Sequence, residues 1–132
     1  MASSYIEQAI ITRLLADSNV TGIVGTRIYY MEAPATATYP YVCIQTISDP
    51  DENTYCGKDG SNPRIQIDSI DDNDTLANVK ALDKYIRTSL NDLTGTVDGM
   101  TVYLIMRAGY RELREPEKII RLSRDYIIKY ER

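Results

Sequence analysis

The order of amphipathic segments predicts an α+β fold: one largely antiparallel sheet of about five strands with two helices packed on one face. Three observations carry this. Two segments repeat apolar residues at spacings of three and four, as a helix buried along one stripe requires. Five others are rich in β-branched and tyrosine residues, and most of the connections between strands are too short for parallel crossovers. At 132 residues the chain has about the length of one average domain, so residues 1–132 are expected to share a single core.

The first helix is expected from Ser4 to Ala16. Ser4 and Glu7 have capping-box spacing, and Ile6, Ile10, Ile11, Leu14 and Leu15 share a face. Asp17-Ser18-Asn19 should end it, and Val20 to Gly25 should form a glycine-punctuated connection. Arg27 to Met31 has strand composition. After the small-residue loop Ala33 to Thr38, Tyr39 to Ile47 is the next strand, with Pro40 at its start. Val42, Ile44 and Thr46 lie on one face of it, and Tyr41, Cys43, Gln45 and Ile47 on the other. Arg64 to Ile70 is a third strand.

Asp71 to Asp74 should open a second helix running to Leu93, with Leu76, Val79, Leu82, Ile86, Leu90 and Leu93 as its stripe and Gly95 as its terminator. Met100 to Arg107 and Ile119 to Tyr130 complete the strands. The last alternates Ile120, Leu122, Tyr126, Ile128 and Tyr130 against Arg121, Ser123, Asp125 and Lys129, with Ile127 on the polar face. Gly95 to Gly99 is expected to be a turn, and Gly109 to Lys118 a charged loop around Pro116.

Composition narrows the functions. Apolar residues make up 43% and charged residues 26%, an ordinary globular balance. Histidine is absent, which removes Ser-His-Asp and Cys-His catalysis and histidine metal sites. A net charge of −4 gives no global field for nucleic acid. The longest apolar runs are far too short to span a bilayer, and the first residues, Met1 to Glu7, show no secretory pattern. The two cysteines, Cys43 and Cys56, match no zinc or redox spacing. Eleven tyrosines, with no Phe or Trp, must fill core as well as serve interfaces.

The acidic residues Asp68, Asp71, Asp72 and Asp74 lack the glycine and spacing of a calcium loop. They are better explained as the start of the second helix, where carboxylates accept backbone N–H bonds, so Asp72→Ala should cost about 1 kcal/mol. The polar stretch Ser48 to Asn62 is longer than two adjacent strands need. Its residues Asp49, Asp51, Glu52, Tyr55, Lys58 and Asp59 form a candidate interaction loop. Arg111, Arg114, Arg121, Arg124 and Lys129 interleave with Glu112, Glu115, Glu117 and Asp125, a pattern that suits a salt-bridged surface better than a nucleic-acid groove.

The stretch from Ala9 to Pro40 resembles the opening of the tail-terminator, or tail-completion, proteins of long-tailed bacteriophages and prophages. The likeness runs through Leu14-Leu15-Ala16-Asp17, Ile23-Val24-Gly25, Arg27-Ile28-Tyr29, Ala33-Pro34 and Tyr39-Pro40-Tyr41-Val42. It continues in the strand from Arg64 to Asp68, in Leu76, Leu82 and Ile86, and in Arg124-Asp125-Tyr126-Ile127-Ile128. The resemblance implies a non-enzymatic virion protein that needs no cofactor or metal. It would form a ring, usually hexameric, at the head-proximal end of the tail tube. There it would stop tube polymerisation and join tail to head. The implied partners are further copies of the chain, the major tail tube protein and a head-completion or connector protein. Neither a membrane nor sequence-specific nucleic acid is implied, although DNA passes through such a ring. The implied location is the virion's neck, after assembly in the host cytoplasm. The same order of elements also permits a small ligand-binding regulatory domain on a ferredoxin-like sheet, and the carboxylates a metal-dependent nuclease.

Overall fold

The computed structural model describes residues 6–48, 51–52, 60–61, 63–72, 76–91, 95–97, 100–116 and 119–131. Its helices are α1 (Ile6–Leu15), α2 (Ser18–Val24) and α3 (Ala77–Asn91). Its strands are β1 (Ile28–Tyr30), β2 (Tyr41–Ser48), β3 (Asp51–Glu52), β4 (Gly60–Ser61), β5 (Arg64–Asp71), β6 (Gly95–Val97), β7 (Met100–Glu115) and β8 (Ile119–Glu131).

The fold is α+β, as the sequence predicts, but with a third helix. Asp17 caps α2 rather than simply ending α1: its extended backbone lets the carboxylate accept the Asn19 N–H at 2.9 Å. Gly25 closes α2 at a φ of +61°, a conformation open to glycine, and its N–H donates to the Thr21 carbonyl at 2.8 Å. Four β-branched residues and a glycine from Val20 to Val24 argue against a helix from propensity alone. Burial of Val20 and Val24 against the other helices overrides that preference.

Three antiparallel ladders and one parallel pair build the main sheet in the order β1-β2-β5-β8-β7. β1 runs parallel to β2, with Ile28, Tyr29 and Tyr30 opposite Val42, Cys43 and Ile44. Met31 ends β1 at a φ of +67°, turning the chain into the segment that leads back to β2. The three short strands occupy places the sequence leaves to loops. β3 and β4 pair with each other inside the long polar connection, and β4 continues onto β8, with Gly60 and Ser61 opposite Glu131 and Tyr130. β6 pairs with the start of β7 where only a turn is expected.

The charged loop expected from Gly109 is instead the far half of β7, which stays in register with β8 as far as Glu115 opposite Ile119. The period-two pattern does continue through it. Tyr110, Glu112 and Arg114 alternate with Arg111 and Leu113, but charge density hides the alternation.

All three helices lie on one face. A buried cluster gathers Ile6, Ile10 and Leu14 from α1, Val20 and Val24 from α2, and Leu82, Ile86 and Leu90 from α3. The strands contribute Val42, Ile44, Ile65, Ile67, Tyr126 and Ile128 to it. A smaller cluster packs Val79 against Ile120 and Leu122. The stripes predicted for β8 and the second helix are therefore the observed ones, although Leu15 of the first stripe is exposed and Leu93 lies outside the described residues.

Arg124 occupies the core-facing row of β8, where an apolar residue would be expected. It is neutralised there by Asp83 of α3, to which Nε and Nη2 donate at 2.9 and 3.1 Å, and its guanidinium lies 4.6 Å from the Tyr110 ring. Burial opposes the charge on Arg124, but the Asp83 carboxylate outweighs it and raises the guanidinium pKa.

Neither Asp71 nor Asp72 caps α3. The helix begins at Ala77, beyond Asp72, and the carboxylates separate. Asp71 ends β5 and its Oδ2 accepts from Asn78 Nδ2 at 2.8 Å, which ties the strand to the helix; Asp72 is exposed. Asp74 lies outside the described residues. Asp71→Ala should therefore cost about 1–3 kcal/mol in chemical denaturation, and Asp72→Ala less than about 0.5 kcal/mol.

The Tyr126 phenol is buried with no hydrogen-bond partner among the described residues. Burial, aided by the nearby Asp83 carboxylate, raises its pKa well above the ordinary tyrosine value. Folding thus favours the neutral phenol. Its contribution to stability is complete below the unfolded pKa of about 10 and is lost as pH rises beyond it. Tyr126→Phe should flatten the fall of melting temperature above about pH 10, and should cost less than about 1 kcal/mol at pH 7 because no hydrogen bond is lost.

Candidate functional site

Alternation along β2, β5, β8 and β7 sends a second set of side chains to the sheet face away from the helices. Register aligns them in rows: Cys43, Asp68, Ser123 and Arg111 in one, and Gln45, Gln66, Asp125 and Gly109 in the next. The rows are cross-linked. Arg121 Nη1 donates to Asp68 Oδ2 at 2.7 Å, and Gln66 Nε2 reaches both oxygens of Asp68 at 2.9 and 3.0 Å. Arg111 Nη2 donates to Gln66 Oε1 at 3.2 Å, and Arg64 Nε to Asp125 Oδ2 at 3.0 Å. Gly109 leaves room for this last pair, since a Cβ there would stand 3.3 Å from Arg64 Nη2. Buried Cys43 shares the face, and burial pushes its thiol pKa up.

The carboxylates proposed as a cluster thus part company. Asp68 faces away from the helices, while Asp71, three residues on, faces them, because an odd separation along a strand reverses the face. Among the described residues, no three acidic, cysteine or histidine side chains are grouped to hold a metal. Asp68 and Asp125 are each engaged by an arginine from a neighbouring strand, which ties the sheet's register.

The two edges of the sheet differ. Beyond its short pairing with β6, β7 has no second strand beside it among the described residues from Leu104 to Glu115, a free edge of about 40 Å at the strand rise. A long edge is a pairing hazard unless charges blunt it, and Arg107, Arg111 and Arg114 do so here. Beside them Met106 and Leu113 are 46% and 45% exposed. Glu112 accepts from the Tyr110 hydroxyl and pairs with Lys80 at 3.2 Å, which together lower its pKa.

At the opposite edge, Tyr30 of β1 and Met31 just after it are exposed, Met31 to 62%. A groove of about 390 Å³ lies there, lined by Glu7, Gln8, Ile11 and Tyr30. The β1 backbone partly closes its own edge, because Ile28 N–H donates to Thr26 and Glu32 N–H to the Tyr30 carbonyl, both at 2.8 Å.

Of the candidate loop residues, Asp51 and Glu52 form β3, opposite Ser61 and Gly60 and so beside the end of β8. Asp49, Tyr55, Lys58 and Asp59 lie outside the described residues. The β7 edge is missed in the sequence because its outer half passes for a loop.

The described fold is thus an eight-stranded sheet with helices on one face, interlocked charges on the other and two unlike edges. A chain from the virion of a native gene transfer agent particle has the same fold, with a TM-score of 0.81 at 19% sequence identity over 96% of this chain and 95% of that one. No curated protein matches significantly. The family model described as Tail completion protein gp17 matches residues 8–131, and the chain belongs to that family. It is accordingly a structural protein of the virion tail.

The ionic lattice yields a contrast between partners. Arg121→Ala strands the buried Asp68 carboxylate and should cost roughly 2 kcal/mol of unfolding free energy. Arg111→Ala, at an exposed position, should cost less than about 0.5 kcal/mol. Urea unfolding of the two variants checks the pair.

Proposed function

We propose that the protein forms a ring, hexameric in its working form, on the head-proximal end of the phage tail tube. The ring stops tube polymerisation and presents the surface that joins the filled head. Membership of the tail-completion family across residues 8–131 carries this reading. The unlike edges of the sheet support it, since a ring built head to tail needs two different surfaces on each subunit. In this reading the chain does no chemistry: its partners are its own copies, the major tail tube protein and the head-completion protein, and DNA passes through the ring. The regulatory alternative loses its footing in the topology. A ferredoxin-like sheet follows a β-α-β-β-α-β order, whereas here two helices precede a parallel β1–β2 pair.

The interaction loop belongs to the same proposal. Asp49, Asp51, Glu52, Tyr55, Lys58 and Asp59 dock on the tube end or on a neighbouring subunit. Its two described ladders involve only short strands, so little of the core depends on it. Replacing residues 50–61 with a short glycine–serine link should leave circular dichroism essentially unchanged and shift the melting temperature by a few degrees at most, because loop length itself costs little. Tail-length control and head joining, read from electron micrographs and titre, should fail. Tails made without the protein should lack a terminal ring. Identical tail ends with and without it would contradict the ring reading.

A further inference from the structure

Building on the ring reading, we infer that the free β7 edge of one copy docks against the α1–β1 edge of a second copy, and that this single heterologous contact repeats around the assembly. The strand order places the two surfaces at opposite edges of one sheet, so a copy bound at one edge leaves its other edge open for the next. Both edges carry exposed large apolar side chains, Met106 and Leu113 on one and Tyr30 and Met31 on the other.

Charge decides which edge meets which. On the helix side of the sheet, Arg107 of β7 lines a surface with Lys84 and Arg87, whereas the α1 edge offers Glu7. Arg111 faces the other side, and Glu32 directly follows Met31 at the end of β1. On the helix side basic therefore opposes acidic when β7 meets α1–β1, and Arg111 and Glu32 supply opposite charges at the two edges. Two β7 edges would instead set arginines against arginines. Because β1 turns its own backbone groups inward at Ile28 and Tyr30, the contact is made by side chains rather than by a continued ladder. The groove between Ile11 and Tyr30 receives an apolar side chain of β7, and the paired charges border it.

The test uses assembled tails. A Met31→Cys/Leu113→Cys variant, in a Cys56→Ser background, is incorporated into tails and treated with a short thiol cross-linker. A ladder of covalent multimers is expected, whereas either cysteine alone should give no ladder. Tails that carry the protein but yield only monomer would overturn the proposed contact while leaving the terminal ring intact. Tails whose ends lack the protein would overturn the ring reading itself, and the contact with it. Independently, Arg111→Glu and Glu32→Arg should each lower titre by at least about tenfold, and the double swap should restore it. A double swap no better than the two single variants would overturn the contact.

Discussion

Backbone pairing along β8 holds the rest of the molecule in place. Its thirteen residues face β5 and then β4 on one side and β7 along their whole length on the other. A slip of one residue would turn Leu122, Tyr126 and Ile128 from the helices and bring Arg121, Ser123 and Asp125 into the core. Burial of the first set is therefore also what orients the second. The core and the outer ionic lattice are two consequences of one register.

The buried charges lock that register from both faces. Arg124 points toward the helices and is held by Asp83, while Arg121 points away and is held by Asp68. Each pair joins residues distant in sequence, and misplacing β8 would take an arginine away from a buried carboxylate. Such pairs add little net stability over apolar packing, but they make alternative pairings expensive.

The two edges of the sheet carry much of its exposed apolar surface. Helices cover one face and the interlocked charges occupy the other, so the largest described apolar exposures fall mostly at the margins: Tyr30 and Met31 on one side, Met106 and Leu113 on the other. A self-complementary surface would make a closed pair of subunits, whereas two different ones make a ring or a filament. The bulge that shifts register between Arg107 and Gly109 bends the β7 edge where its basic residues begin.

By itself the sequence determined the fold class, the helix stripe from Val79 to Leu90 and the apolar row of β8, because each is a local periodicity that burial then satisfies. The family likeness was legible for the same reason, resting on patterns near the core. What only the tertiary structure decided lies where local signals conflict with distant partners. Val20 to Val24 is helical because its valines meet the other helices, not because its residues favour a helix. Gly109 to Glu115 is strand because β8 runs beside it, although its charges and glycine suggest a loop. Asp71 caps nothing, and its role is set by Asn78 reaching back from α3. Pairing between segments far apart in the chain supplies these contacts, and no periodicity within one segment encodes which neighbour it will meet.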